Sequence, residues 1–234
     1  MASKRRYIDV IYEDRDLIVV NKPRGLIVES EFKKGNSGAG SLCDNVRSYL
    51  MRKFEGARGV FIRPLHRLDK ETTGLTILAK SKAGLKLSEE IKSHKIMREY
   101  VAVVEGKIEK ENGTIKVPLI KGDFGHGKKV GVADKNSGKM TVTHFALKER
   151  YENASMINLR LETGFTHQIR VHLASIGHPL IGDKVYNPHG KIPFPRQALH
   201  AGRIVFYHPA GGKKIELKAP LPKDMMELID NLRG

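Results

Sequence analysis

The stretch RPLHRLDKETTGLTILAKS, residues 63–81, places a group of charged side chains directly before an apolar segment. Asp69 lies between two basic residues, Arg67 and Lys70, and the letters TTG that follow are typical of a tight turn. The apolar segment GLTILAK then predicts a strand. On these residues alone the sequence favours a solvated turn aspartate, and the alternative is an acid placed there for chemistry.

The net charge is the most informative bulk property of the chain. Its 234 residues carry 42 Lys and Arg against 26 Asp and Glu, a formal charge of +16. Such an excess attracts polyanions through Coulomb forces and counterion release. The basic residues are spread along the chain, which indicates a broad RNA- or DNA-binding face; the alternative is a basic protein without a nucleic-acid role. A membrane-surface role is disfavoured because the sequence shows no basic amphipathic helix.

The composition is that of an ordinary globular protein, with 40% hydrophobic and 29% charged residues. Cys43 is the only cysteine, which excludes an internal disulfide and agrees with a reducing compartment. The N-terminus is basic, but no apolar run follows it, so we expect no secretory signal. No run is long enough to span a bilayer. We therefore expect a cytoplasmic protein.

Strand patterns dominate the chain, several of them joined by hairpin turns, with three or four helices between them. They predict an α+β fold: a mixed, largely antiparallel central sheet with flanking helices and a cleft that holds the active site. We expect residues 1–234 to form a single domain, with two lobes around that cleft as a variant. Ser41 and Thr166 are candidate helix N-caps, and Gly177 is expected to end the second of these helices. The Gly- and Lys-rich segment 121–139 predicts loop and turn.

Two patterns that suggest other functions are weak. GDFGHGKK, residues 122–129, has the G-x4-G-K spacing of a phosphate loop, but Lys129 stands where Ser or Thr would bind Mg²⁺. A basic loop that touches a polyanion fits it better. His167 and His172 lie about 140° apart around an α-helix at ~100° per residue, and no zinc-binding motif accompanies them. We therefore expect neither a nucleotide site nor a metal site.

A second polar group lies at the start of a predicted helix in LETGFTHQIRVHLASIGHPLIGDKVY, residues 161–186, and consists of Thr166, His167, Gln168 and Arg170. The backbone N–H groups of a first helical turn favour anions. Arg170 stands between two apolar residues and can point out of the core, where an arginine holds a buried carboxylate ionised. The alternative is a helix-start arginine on a solvated face.

Five segments resemble, in the right order, the motifs of the RluA-type pseudouridine synthases. The most specific are RPLHRLDKETTG, REYVAVVEG and TGFTHQIRVHLASIGHPLIGD, while VVNKPRGLIV is similar to the family's first motif and QALHAGRIVFYHP to its last. The resemblance covers residues 10–222. Phe165 stands where the family usually has the arginine of G-R-T-H-Q. We expect no N-terminal S4-like module before the first motif.

The resemblance implies an enzyme that isomerises specific uridines in structured RNA, either ribosomal or transfer RNA. Such an enzyme flips the target base out of its stack, cleaves the glycosidic bond with the help of an aspartate and rejoins the base to the sugar through carbon. The reaction involves no redox change, so we expect no metal, nucleotide or organic cofactor. RNA is the expected partner, and we expect a monomer.

The resemblance also implies roles for single residues. Asp69 is the catalytic carboxylate, which either attacks the sugar carbon or removes a sugar proton. Tyr100 stacks on the uracil, with a strand-core tyrosine as the alternative, and Arg170 pairs with Asp69. Arg67 fills the hole that the flipped base leaves. The remaining expected contacts are Leu199 packed against the tyrosine, and His66, Gln168 and Lys22 against RNA.

Two other function classes share some of these features. An RNA-binding protein without activity would use the same scaffold, but the intact set of Asp69, Tyr100 and Arg170 argues against it. A glycoside hydrolase normally needs two carboxylates that flank the scissile bond; Glu71 lies near Asp69 in sequence, but no second well-placed acid follows from the pattern. Release of free uracil would favour that class.

Overall fold

The computed structural model describes residues 8–29, 40–54, 59–127, 129–134 and 136–234. Within these residues the chain forms eleven strands and four α-helices. The strands are β1 (Asp9–Glu13), β2 (Leu17–Lys22), β3 (Arg63–Pro64), β4 (Thr73–Ala79), β5 (Met97–Glu105), β6 (Asn112–Lys121), β7 (Val130–Val132), β8 (Lys139–Arg150), β9 (Ala154–Leu161), β10 (Leu199–Tyr207) and β11 (Lys214–Lys218). The helices are α1 (Leu42–Lys53), α2 (Leu87–Lys92), α3 (Gln168–Ser175) and α4 (Lys223–Arg233). These elements confirm the predicted α+β class with its largely antiparallel pairing.

The described residues divide into two compact units. The first contains the residues up to Ile96 together with Ile204–Ala219, and the second contains Met97–Arg203 together with Pro220–Gly234. Strand β10 is therefore divided between the units after Arg203. The single catalytic domain expected from the sequence stays a prediction.

The first unit has the strand order β1-β2-β4-β10, with β3 paired to β4 and β11 paired to β10. β2 and β4 run antiparallel, so that Leu17 lies opposite Ala79 and Lys22 opposite Gly74. All seven residues of β4 are buried, as expected of a strand covered on both faces. One apolar cluster joins side chains of these strands to the helix α2, and it includes Leu17, Val19, Leu75, Ile77, Leu87 and Ile91.

Helix α1 begins as the sequence predicts. Ser41 is its N-cap and forms a capping box with Asp44, in which each side chain accepts a hydrogen bond from the backbone N–H of the other residue. This arrangement satisfies two N–H groups that otherwise lack partners at a helix start. Leu42, Val46 and Leu50 form its buried stripe.

The second unit has the strand order β10-β5-β9-β8-β6-β7. Helix α4 packs on one face of this sheet, where Met225, Leu228 and Ile229 form a cluster with residues that include Val103. Helix α3 packs through Val171 on a second cluster with Leu119 and Val130. Because side chains alternate along a strand and pair across the ladder, Leu119 belongs to the face opposite Val103.

Two local predictions are wrong. The segment 121–139 is not wholly loop, because β7 lies within it and pairs antiparallel with the end of β6. Val130 and Val132 supply a short alternation that the surrounding Gly and Lys residues obscure; Lys128 and Lys135 lie outside the described residues. Thr166 is not the N-cap of α3. The N-cap is His167, in the left-handed conformation with φ 54°.

The end of α3 follows the prediction. Gly177 has φ 80° and donates its N–H to Ala174 O at 3.1 Å, while the N–H of His178 donates to Leu173 O at 3.0 Å. These two bonds form a Schellman motif, which needs a left-handed residue and therefore favours glycine. Across the described part of the chain no helix combines the length and apolar composition needed to cross a membrane.

Candidate active site

Asp69 lies in the loop between β3 and β4, in the first unit, and is partly buried. The N–H of Thr72 donates to the carbonyl oxygen of Asp69 at 3.1 Å, which closes a turn one residue before β4 begins at Thr73. This confirms the loop–strand boundary that the sequence predicts. It also places Asp69 four residues before the first residue of a fully buried strand.

The side chain of Lys22 is hydrogen-bonded to this loop. Its side chain is 0% exposed, and its ammonium donates to the carbonyl oxygens of Pro23 at 3.0 Å, Leu26 at 2.8 Å and Lys70 at 3.0 Å. An ammonium has three N–H donors, so these bonds tie the NKPRG turn to the residue after Asp69. The burial favours a role in holding the loop, and contact between Lys22 and RNA stays a prediction.

His66 fixes the other side of the loop. Its Nε2 accepts the backbone N–H of Ile77 at 3.1 Å, and the N–H of Leu65 donates to Ile77 O at 3.0 Å. The pairing of β3 with β4 therefore continues past Pro64 through a side chain. Arg67 follows directly and is exposed. The expected contacts of His66 and Arg67 with RNA stay predictions.

Tyr100 lies in the second unit, on β5, and is 5% exposed. The ladder places it opposite Leu159, which itself lies opposite Phe145 on β8. Phe145 alternates with Thr143, which bonds α3, so Tyr100 and α3 occupy the same face of the sheet. Leu199 is also buried, at the start of β10. Stacking on uracil by Tyr100, and its packing with Leu199, stay predictions.

Gln168 anchors the first turn of α3. Its Oε1 accepts from Thr163 Oγ1 and from the N–H of Phe165, both at 3.0 Å. Its Nε2 donates to Val142 O and to Thr143 Oγ1, also at 3.0 Å. An amide side chain offers two donors and two acceptor lone pairs, and all four are used within the protein. This favours a structural role for Gln168, and its contact with RNA stays a prediction.

Arg170 is held by a carboxylate that the sequence analysis did not single out. Its Nε donates to Asp183 Oδ2 at 2.7 Å and its Nη2 to Asp183 Oδ1 at 2.8 Å, with Asp183 0% exposed. Asp183 Oδ1 also accepts the N–H groups of Val185 and Tyr186. Burial raises the pKa of Asp183, but the guanidinium and the two N–H groups outweigh it and hold the pKa below its ordinary value.

Tyr186 completes this group. Its ring lies 5.0 Å from the Arg170 guanidinium carbon, and its hydroxyl donates to Val130 O at 3.0 Å. The hydroxyl oxygen then accepts from His167 Nδ1, also at 3.0 Å. The signal for Asp183 was present in the letters GDKVY, because an aspartate that bonds the N–H groups two and three residues ahead is a common turn. No local sequence pattern indicates that Tyr186 contacts Arg170 and Val130.

The two histidines that raised a metal hypothesis bind separate protein partners. Thr141 Oγ1 donates to Val117 O at 2.7 Å, so the 2.7 Å contact of Thr141 Oγ1 with His172 Nε2 has Nε2–H as its donor. Burial disfavours the charged form of the His172 ring and therefore lowers its pKa to about 4. His167 instead bonds Tyr186. Among the described residues no three His, Cys, Asp or Glu side chains form a metal-binding group.

The chain is similar to known proteins along nearly its whole length. A family model described as RNA pseudouridylate synthase matches residues 16–175. An uncharacterized RNA pseudouridine synthase, YlyB, of Bacillus subtilis is 42% identical over 234 residues, which cover 97% of this chain and 73% of that protein. The ribosomal large subunit pseudouridine synthase D of Escherichia coli is 39% identical over 242 residues, which cover 97% of this chain and 71% of that protein.

A solved structure shares the fold. Human RNA pseudouridylate synthase domain containing 4 superposes with a TM-score of 0.77 at 22% identity, covering 96% of this chain and 93% of that one. The family follows from the family model and the sequence relatives. The human structure, at 22% identity, shows only that the fold is shared.

Replacement of the carboxylate that binds Arg170 should destabilise the protein. Asp183→Asn keeps the size of the side chain but removes the carboxylate charge that binds the buried guanidinium, so we expect the free energy of unfolding to fall by about 3–5 kcal/mol. Urea unfolding at neutral pH measures the loss. The control is Asp123→Asn, because Asp123 is exposed. A loss in Asp183→Asn no larger than in the control would contradict a stabilising pair.

His172 should make stability depend on pH. Its pKa falls from an ordinary 6.5 to about 4 on folding, so between these values the unfolded chain binds a proton that the folded chain does not. Stability is therefore lost as the pH falls through this interval, by at most about 1.4 kcal/mol per pH unit from this group. His172→Gln should flatten the profile there, as measured by urea unfolding from pH 7 to 4. His189→Gln, at an exposed position, should leave the profile unchanged.

Proposed function

Since the chain belongs to the RNA pseudouridylate synthase family, and is of the RluA type, we propose that it converts specific uridines of large-subunit ribosomal RNA to pseudouridine. The observation that carries the choice of substrate is the 39% identity, along 97% of the chain, with ribosomal large subunit pseudouridine synthase D. The charge of +16 agrees with a substrate that is a polyanion.

The reaction is an isomerisation within one nucleotide. The bond between N1 of uracil and C1′ of ribose breaks, the detached base turns in place, and a bond forms between C5 and C1′. C5 loses its proton and N1 gains one, so atoms and electrons balance without an oxidant or a cofactor. The site must therefore stabilise charge at the sugar, retain the free base and exclude water.

Asp69 supplies the carboxylate that acts at the sugar in this proposal. Its position supports the assignment. Asp69 lies on the loop that leads into the buried strand β4, and this loop is hydrogen-bonded through the Lys22 ammonium and the His66 ring. The target base leaves its stack to reach such a group, because the atoms that react lie inside a duplex otherwise. The exposed Arg67, two residues before Asp69, fills the space that the base vacates.

Tyr100 forms the wall on which the flipped uracil stacks. A buried tyrosine offers a flat apolar face and excludes water from one side of the base. Leu199 supports the ring from behind in this proposal. Both side chains are buried in the second unit, and neither carries a charge that would compete with the carboxylate.

Arg170 pairs with the Asp69 carboxylate in this proposal. A guanidinium carries five N–H donors, and the two bonds to Asp183 use Nε and Nη2. The bidentate bond and the Tyr186 ring set the plane of the guanidinium, and in this proposal the group also pairs with the Asp69 carboxylate.

We further propose that the protein acts as a monomer in the cytoplasm. Its one cysteine, Cys43, is free and buried, which agrees with a reducing compartment. A monomer suits a site in which the proposed catalytic residues all come from one chain.

Removal of the charge on Asp69 should abolish pseudouridine formation without weakening RNA binding. For Asp69→Asn we expect folded protein, unchanged affinity and essentially no pseudouridine on unmodified large-subunit ribosomal RNA, measured by mass spectrometry of RNA digests. The matched control is Glu71→Gln, which removes an acid from the same loop and should keep most of the activity. Activity of Asp69→Asn within tenfold of wild type would remove Asp69 from its role. Free uracil in the wild-type reaction would instead indicate a glycoside hydrolase.

Two variants should distinguish the contribution of the Tyr100 ring from that of its hydroxyl. Tyr100→Phe keeps the stacking face and should bind RNA normally, with turnover lost only to the extent that the hydroxyl moves a proton. Tyr100→Ala removes the face and should weaken RNA binding by about 1–3 kcal/mol, the value of one base stacked on an aromatic ring. Filter binding and single-turnover rates give both quantities. Equal activity in Tyr100→Ala and wild type would contradict the stacking role.

A further inference from the structure

Arg98, in the second unit, is a buried arginine for which the described residues supply no hydrogen-bond partner at Nε. It is 9% exposed, and its Nε is fully buried with no hydrogen-bond acceptor among the described residues. Its guanidinium packs against the backbone of Gly164, where Nη1 and Nη2 lie 3.4 and 3.3 Å from the position that a Cβ would occupy. Arg98 is therefore enclosed by the protein but not neutralised by the part of it that the structure describes.

Two other buried arginines of the same unit show what is missing. Arg170 makes a bidentate bond with Asp183, and Arg196 makes one with Asp224 at 2.8 and 2.9 Å. A guanidinium does not deprotonate in proteins, so it cannot escape the cost of burial by becoming neutral. A buried charge is therefore paired with a carboxylate or with an anionic ligand. For Arg98 the described chain supplies no such anion, which points to a ligand.

The position of Arg98 indicates which ligand. It lies two residues before Tyr100 on β5, so both side chains point to the same face of the sheet, about 7 Å apart along the strand. α3 packs on that face, and Gly164 belongs to the segment that leads into it. An anion bound by Arg98 would thus lie beside the residue proposed to stack on uracil.

We propose that Arg98 binds a phosphodiester of the substrate RNA, next to the nucleotide that stacks on Tyr100. This inference rests on the proposed function, and it adds a phosphate-binding residue to the same site. The planar fork of a guanidinium donates two parallel N–H groups to phosphate oxygens. Gly164 leaves room for this plane because it has no side chain. The phosphate contact positions the strand and takes no part in bond breaking.

Arg98→Met tests the proposal because it keeps the length of the side chain and removes the charge. In the absence of RNA the melting temperature should stay equal or rise, since an unpaired buried charge is lost. Affinity for single-stranded oligouridylate should fall about ten- to hundredfold, the value of a hydrogen bond to a charged group. The slope of log affinity against log salt should flatten by ~0.7, which corresponds to one phosphate.

The matched control is Arg160→Met. Arg160 lies opposite Glu99 on the neighbouring strand, so it points to the other face of the sheet, and it is exposed. Arg160→Met removes the same charge and should leave the affinity for oligouridylate within threefold of wild type. Arg98→Lys provides a second variant that keeps the charge: its salt slope should match wild type, and its affinity should lie between wild type and Arg98→Met.

Gly164→Ala gives an independent perturbation. Its Cβ would crowd Nη1 and Nη2, so it should weaken oligouridylate binding in the wild-type background and have no further effect in combination with Arg98→Met. Equal effects in both backgrounds would overturn the proposal, because the contact would then not pass through Arg98.

Inorganic phosphate separates this inference from the proposed function. At constant ionic strength, phosphate should raise the melting temperature of the wild-type protein above that in chloride, and the rise should be smaller in Arg98→Met. Absence of pseudouridine formation by the wild type would contradict the proposed function and leave this comparison valid. A lower melting temperature of Arg98→Met with unchanged RNA affinity and salt slope would overturn the inference and make Arg98 a structural residue. Weaker RNA binding with an unchanged slope would also overturn it.

Discussion

The bidentate bond between Arg170 and Asp183 is the interaction on which the arrangement around α3 in the second unit depends. It joins the first turns of α3 to the segment that follows the helix, and the Tyr186 ring and its hydroxyl extend it to β7 and His167. Both charges are buried, so removal of either one leaves the other without this bidentate partner. The guanidinium is therefore fixed before any substrate binds, which is the condition for electrostatic stabilisation without reorganisation.

In the first unit, backbone carbonyls help to position the loop that carries Asp69. The Lys22 ammonium binds three carbonyl oxygens, and the neutral Nε2 of His66 accepts an N–H of β4. These bonds help to hold the loop that carries Asp69. Asp69 and Arg67 thus lie on a hydrogen-bonded loop that leads into a fully buried strand. Function in this account comes from two preorganised segments.

Much of the fold was readable from the sequence because its signals are local. Ser41 with Asp44 three residues later specifies a helix start, and Gly177 specifies a helix end. β7 was missed because three residues among glycines and lysines carry too little alternation, and its strand forms through pairing with β6. His167 replaced Thr166 as N-cap because the Gln168 side chain accepts the N–H of Phe165 and the His167 ring bonds the Tyr186 hydroxyl, and the second of these is a tertiary contact. The partner of Arg170 was missed for the same reason, since a side-chain pair 13 residues apart has no periodic signal.

The central claim is that this chain modifies uridines of large-subunit ribosomal RNA. The most direct measurement maps pseudouridine in total RNA from cells with and without the gene, and from cells complemented with the Asp69→Asn variant. The account predicts that specific pseudouridines of the large-subunit RNA disappear without the gene and do not return with the variant. An unchanged large-subunit map together with losses confined to transfer RNA, or a map restored by the variant, would contradict it.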